Sequence, residues 1–340
     1  MATKFDQLIH EHTGNRGFKP VSCVRHWCRI WIAAFAALVI ITACEAPLKL
    51  DGVEKRLHEP VRRSDQFQMA SANDKAIVVV GNQGLIVTST DQGQSWHRHE
   101  LPDWPELIDI TSCPDGSFAA LATEGQVWIS ADDGENWKPH DINSEEAPQA
   151  ITCDPGGRLW VVGSFSSIFS SEDAGGTWAT TSLDEDTILT NIQFLDAQTA
   201  YISGEFGTML KTTDGGTSWQ RLPELQNSFY PQAMHFENHD SGWILGLQGQ
   251  ILHTEDGGEN WTLQTTDTRA PLYGIGKVGN ELYVAGGEGT VLQQRGQKWV
   301  KMNTGKPILL YLRAVLPVGK DRLLIAGQAG ALYVLPVGVH

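Results

Sequence analysis

From residue 63 onward, apolar residues come in short runs separated by glycine-bearing turns. Ala76-Ile77-Val78-Val79-Val80-Gly81 is followed after two residues by Gly84-Leu85-Ile86-Val87-Thr88. The arrangement returns at Tyr201-Ile202-Ser203-Gly204 with Gly207-Thr208-Met209-Leu210, and at Leu282-Tyr283-Val284-Ala285-Gly286 with Gly289-Thr290-Val291-Leu292. It returns again at Leu323-Leu324-Ile325-Ala326-Gly327 with Gly330-Ala331-Leu332-Tyr333-Val334. Runs this short, rich in β-branched residues and bounded by glycine, read as strands joined by tight turns. The turn position falls at Gly84, Gly125, Ser166, Gly207, Gly249, Gly289 and Gly330, which makes seven units. In the fourth unit, strands are expected over 190–194, 199–203, 208–212 and from 219. No long amphipathic helix is expected within 63–340.

A second repeat punctuates the first. Ser89-Thr90-Asp91-Gln92-Gly93-Gln94-Ser95-Trp96 recurs as Ser130-Ala131-Asp132-Asp133-Gly134-Glu135-Asn136-Trp137 and Ser171-Glu172-Asp173-Ala174-Gly175-Gly176-Thr177-Trp178. It recurs again as Thr212-Thr213-Asp214-Gly215-Gly216-Thr217-Ser218-Trp219 and Thr254-Glu255-Asp256-Gly257-Gly258-Glu259-Asn260-Trp261. A sixth copy, 292–299, keeps only Gly296 and Trp299. Successive tryptophans lie 41, 41, 41, 42 and 38 residues apart. In each full octet a Ser or Thr, with an Asp two residues on, can accept nearby backbone N–H groups and close a turn. The glycine at the fifth place can take positive φ without a steric penalty. A period near 41 residues built from short strands is a propeller signature. The expected fold is therefore all-β, a seven-bladed propeller over 63–340. The seventh unit has neither octet nor tryptophan, so the segment 44–62, with a strand candidate over 48–53, is expected to supply its outer strand and close the ring.

Ahead of the repeats, 30–43 is apolar apart from Thr42, and Lys4, Arg16, Lys19, Arg25 and Arg29 precede or open it. The run is short for a membrane span, which needs roughly 20 residues, and suits a signal-peptide core. It closes on Ile41-Thr42-Ala43-Cys44, which looks like a lipoprotein processing site with Cys44 as the lipidated residue; an uncleaved signal anchor is the alternative. Either reading places the propeller on the periplasmic side of a bacterial membrane. Glu45 after the cysteine, rather than Asp, favours the outer membrane.

Charge narrows the partners. The whole chain carries a formal net charge of −15. Removing 1–43 takes away five basic and two acidic residues and leaves −18. Such a surface repels nucleic acid. Cys113 and Cys153 occupy similar places in consecutive units. They read as two buried thiols, with a bond across two blades in an oxidising compartment as the alternative.

Candidate chemistry is sparse. The octets are rich in oxygen ligands but lack the alternation of a calcium loop and read as structural turns. Asp91, Gly93 and Trp96, Asp132, Gly134 and Trp137, Asp173, Gly175 and Trp178, Asp214, Gly216 and Trp219, and Asp256, Gly258 and Trp261 are their structural positions. His235 and His239 lie four apart in a strand and turn, which does not suit a helical metal pair. No metal set, phosphate loop or nucleophile elbow is expected, and no cofactor is implied.

The octet resembles the Asp-box, or bacterial neuraminidase repeat, which raises a glycosidase as the alternative reading. Sialidases use an arginine triad, a tyrosine nucleophile helped by Glu and a further acid. Here Arg62-Arg63-Ser64 precedes the first octet, and Arg269 and Arg313 are the later arginines expected near the axis. A wider resemblance takes in the regular units, boxes of the form Thr-Thr-Asp-Gly-Gly-Thr-Ser-Trp, paired glycine turns such as Gly204-Glu205-Phe206-Gly207, and the lipoprotein-like N-terminus. Over about 63–335 these features are similar to the photosystem II stability and assembly factor family. That resemblance implies a non-enzymatic scaffold helping a membrane protein complex to assemble, with an arginine-bearing contact surface for which Arg62, Arg63, Arg269 and Arg313 are the nearest positions. The loops leading from one blade to the next are expected on one face. They carry Asp184, Glu185 and Asp186, with Trp104 and Tyr230 as aromatic anchors for a partner.

Overall fold

The computed structural model describes residues 52, 58–305 and 307–338. The apolar run at 30–43, Cys44 and, apart from Gly52, the expected ring-closing strand at 48–53 lie outside the described residues.

Among the described residues, 27 strands form seven successive antiparallel meanders. Blade 1 comprises Phe67–Ala72, Ile77–Gly81, Leu85–Ser89 and His97–Glu100. The first strands of the following blades are Leu107–Ser112, Pro148–Cys153, Leu189–Phe194, Ala233–Phe236, Leu272–Val278 and Leu312–Val318. These seven line the axis. Each neighbours the first strand of the next blade, and Leu312–Val318 returns to Phe67–Ala72. The fold is a β-propeller, as the repeat implied. In the fourth blade the strands are Leu189–Phe194, Ala200–Gly204, Met209–Thr212 and Gln220–Arg221, within a residue or so of expectation.

The apolar runs follow from blade-on-blade packing. The second and third strands of blade 1 are buried on both faces, so they need no polar alternation. Their side chains divide by parity. Val78, Val80 and Ile86 join Phe118, Ala120 and Trp128 of blade 2. Ile77, Val79, Leu85 and Val87 join Ala314, Leu324 and Ala326 of blade 7. A one-residue slip in register would exchange the two sets.

Four features depart from a uniform repeat. Blades 5 and 6 are joined along their outer edges, because Thr262–Thr266 pairs in parallel with Lys298–Lys301 through Thr265↔Lys298 and Thr266↔Trp299. The sixth octet has lost its Ser/Thr and Asp, so no box turn forms there. Trp299, 1% exposed, instead donates from Nε1 to Oε1 of Gln264 at 2.7 Å. Blade 7 has three strands among the described residues, ending in Leu332–Pro336, and side-chain packing joins it to blade 1. Finally, Cys113 and Cys153 are bonded, with Cα atoms 5.2 Å apart, which corrects the expectation of two thiols. The physical reason is positional: they fall at the same place on the axial side of adjacent blades, where the spacing of neighbouring strands suits the bond.

Candidate functional site

The two faces of the ring have different work. One carries the turns between first and second strands together with the octets. The other carries the turns between second and third strands together with the loops from blade to blade. Hydrogen bonds join the members of each face: Gly215 N donates to Gln198 O and Gly257 N to Asp240 O on the first, Gly84 N to Pro105 O and Ser166 N to Thr187 O on the second.

The octets close as their chemistry predicts. In the fourth, Thr212 Oγ1 donates to Asp214 Oδ1 at 2.8 Å and accepts from Gly216 N at 2.9 Å, while Ser218 N donates to Asp214 Oδ1 at 2.9 Å. The first repeats this with Ser89, Asp91, Gly93 and Ser95. Donors converging on each carboxylate hold Asp91 and Asp214 down at about 2, the hydroxyls of Ser95 and Ser218 acting most strongly, and lower Asp132, Asp173 and Asp256 in the same sense. The fifth-place glycines also lie against the preceding blade: Gly93 on Val334, Gly134 on Thr88, Gly175 on His140, Gly216 on Trp160 and Gly258 on Leu222. The octet is thus an inter-blade joint as well as a turn. Of the box tryptophans, Trp137 and Trp261 return their indole N–H to Gly134 O at 2.9 Å and Gly258 O at 3.0 Å. The indole nitrogens of Trp178 and Trp219 are buried without a partner.

The blade-linking face carries the candidate contact residues. A depression of about 710 Å³ lies beside blade 1, lined among others by Arg62, Asp65, Arg98, Glu100, Trp104 and Glu106. Its charges are organised. Arg98 Nη1 meets Asp65 Oδ2 at 2.9 Å and its Nε meets Glu100 Oε1 at 2.8 Å, while Arg62 Nη1 lies 3.3 Å from the same Glu100 oxygen. Asp65 is 4% exposed and also accepts from Arg62 N at 2.6 Å. Trp104 stands at the rim, 69% exposed, with its backbone at φ 49°. An exposed tryptophan held in the left-handed region is uncommon.

The structure brings Arg62 and Trp104 to that depression and leaves the others apart. Arg63 is exposed beside Arg62 without lining the depression, and Arg269 is exposed on the link between blades 5 and 6. Arg313 is the second residue of the axial strand of blade 7, where the register shifts between Leu312 and Ala314. Its charge reaches Asp109 on the axial strand of blade 2, whose carboxyl burial pushes up to about 6 even though Ile151 N and Ile110 N each donate to it at 2.8 Å. Asp184 and Asp186 are exposed, whereas Glu185 is paired with Arg221. Tyr230 is exposed, and burial together with the Glu205 carboxylate beside it raises its pKa. Arg98 was missed by sequence reasoning, because it lies on an outer strand just past an octet and carries no motif. Glu100, two residues on, was the local signal, whereas Asp65 lies 33 residues earlier in the chain.

Comparison with known proteins bears on this geometry. The family model described as photosynthesis system II assembly factor YCF48 matches residues 170–276, and that for the BNR/Asp-box repeat matches 87–98. No curated protein sequence matches the chain. Among solved structures, YCF48 bound to D1 peptide superposes with a TM-score of 0.68 at 19% identity, covering 82% of this chain and 93% of that one. YCF48 from Cyanidioschyzon merolae gives 0.65 at 15%, covering 82% and 96%. An inactive H270A virginiamycin B lyase from Staphylococcus aureus with quinupristin gives 0.70 at 14%, covering 81% and 96%. At these identities the structural likenesses speak to the fold, and enzymes and assembly factors share it. By its family-model match and its fold, this Asp-box propeller resembles the photosystem II assembly factor YCF48 family.

Proposed function

We propose that this chain is a non-enzymatic scaffold that binds a polypeptide segment of a membrane protein complex and assists its assembly or stability. The match of residues 170–276 to the YCF48 family model carries this reading. The similar fold of a YCF48 that binds a D1 peptide supports it, as does the exposed Trp104 at the rim of a depression on the blade-linking face. The partner is a photosystem II reaction-centre-like subunit or a subunit of another envelope complex. Arg62, Arg63, Arg269, Arg313, Trp104 and Tyr230 are the contact residues proposed on this face. Arg62 and Arg98 already engage carboxylates of their own chain, which suits a structured protein-docking surface better than capture of a sugar carboxylate. Lipidation at Cys44 would hold the propeller on the periplasmic side of the membrane.

Affinity purification of the full chain from solubilised membranes, with its native N-terminus, tests the proposal. Enrichment of subunits of one membrane complex, lost with Trp104→Ala, is the expected result. Equal recovery of those subunits with a Cys44→Ala, Trp104→Ala double variant, or no enriched membrane protein, would overturn it.

A further inference from the structure

On the same face, blades 3 to 5 carry a run of exposed apolar side chains. Phe165 is 54% exposed, Phe206 62%, Tyr230 38% and Leu247 45%. Phe165 and Phe206 occupy equivalent places in the turns between second and third strands of adjacent blades, with φ of 49° and 58°. The same place holds Gln83, Gln248, Glu288 or Ala329 in other blades, all left-handed. Gln, Glu and Ala meet the turn's conformational demand without exposing a ring. A bulky aromatic residue at positive φ is an outlier, and strain kept at an exposed position points to use.

These side chains belong to one continuous strip. Ser182 Oγ donates to Phe165 O at 2.9 Å, and Ser166 N to Thr187 O at 2.7 Å, so the loop after blade 3 rests on the first turn. Glu205 N donates to Ile188 O at 2.9 Å, joining that loop to the turn of Phe206. Leu225 N donates to Gly207 O at 2.9 Å, and Glu205 lies beside Tyr230. A Cβ at Gly246 would stand 2.9 Å from Phe229 Cε1, which seats the next loop on the turn of Leu247. Carboxylates flank the strip throughout: Glu145, Asp184, Asp186 and Glu224 are exposed, and Glu205 is half-buried.

Resting on the scaffold reading above, we infer that this strip docks an amphipathic polypeptide segment whose apolar side chains are flanked by lysine or arginine. Exposed rings in a row supply apolar anchors. The surrounding carboxylates select basic flanks and repel an anionic lipid surface. This occupant differs from one held by the arginine-bearing depression beside blade 1.

Binding of a labelled amphipathic Leu/Lys peptide to the full chain in detergent, followed by fluorescence anisotropy, tests the inference. Phe165→Gln with Phe206→Gln is the informative variant, since Gln83 and Gln248 show that glutamine suits the turn. It should weaken binding about tenfold or more. Asp184→Asn with Asp186→Asn should weaken it and flatten its salt dependence, and a Leu/Glu peptide should not bind. Equal affinity in the phenylalanine variant, or equal binding of the Leu/Glu peptide, would overturn the inference. So would tighter, phenylalanine-dependent binding to phosphatidylglycerol vesicles, which would make a membrane the occupant. The same variant in the affinity purification separates the two proposals. If it recovers the membrane complex undiminished, the scaffold stands and this strip is not its docking surface.

Discussion

Gly216 lies against the indole of Trp160 on the preceding blade, so that a Cβ added to it would stand 2.8 Å from Cζ2 and nearer still to Cη2. The glycine also has φ +83°. Two demands meet at one atom: a backbone that disfavours side chains, and a neighbour that leaves no room.

Gly157 has φ +89° with nothing within 4 Å. It isolates the backbone demand. Gly157→Ala should cost about 1 kcal/mol, and Gly216→Ala about 2–4 kcal/mol once overpacking is added. Denaturant midpoints of the two variants check this, and equal losses would mean that the indole yields freely.

The bond between Cys113 and Cys153 closes a loop with a sequence separation of 40 residues. Constraining the unfolded chain over that length is worth about 3–4 kcal/mol. A reducing agent should lower the unfolding midpoint of the natural chain and leave the Cys113→Ser, Cys153→Ser variant unmoved. A natural chain indifferent to the reducing agent would show the bond to be energetically idle.

Two sets of carboxylates give stability opposite pH slopes. Asp91 and Asp214 sit at about 2 against an ordinary 3.8, so their contribution is present above the ordinary value and is lost as pH falls from there through about 2. Asp109 is raised from 3.8 to about 6, so its contribution is present at low pH and is lost as pH rises through about 6. Asp214→Asn should therefore remove part of the acid limb, and Asp109→Asn should flatten the stability curve between about pH 4 and 6. Unfolding midpoints across pH, with a nuclear magnetic resonance titration of Asp109, read both effects.

Arg98 is the counter-ion of Asp65, and the two side chains are 15% and 3% exposed. Removing the cation strands a buried carboxylate. Arg98→Met should cost about 2–4 kcal/mol, with the midpoint partly recovered by adding Asp65→Asn. A variant as stable as the natural chain would mean that Arg62 alone compensates Asp65.

Much of this was readable in the residues because it is local. The octet's Ser/Thr, Asp and Gly act within a few positions, so Thr212, Asp214 and Gly216 announce their turn without tertiary knowledge. What escaped depends on how distant units meet. The Cys113–Cys153 bond needs the register of two blades, and the pairing of Thr265 and Thr266 with Lys298 and Trp299 needs the collapse of a degenerate octet. Arg98 gains its importance from Asp65 across the ring junction's loop. Phe165 and Phe206 fall in turns that the sequence pattern marks, but only the structure shows their left-handed backbone and their rings left exposed side by side in adjacent blades.

The junction of blade 7 with blade 1 has a consequence for biosynthesis. Gly93 meets Val334, and Arg322 Nη1 reaches Gln92 O at 3.4 Å across a separation of 230 residues. A chain made from its N-terminus exposes the apolar flank of Ile77, Val79, Leu85 and Val87 until Leu324 and Ala326 exist to cover it. Throughout that interval the nascent protein is an open arc with a sticky end. The arrival of blade 7 therefore decides whether blade 1 becomes part of a ring or a site of aggregation.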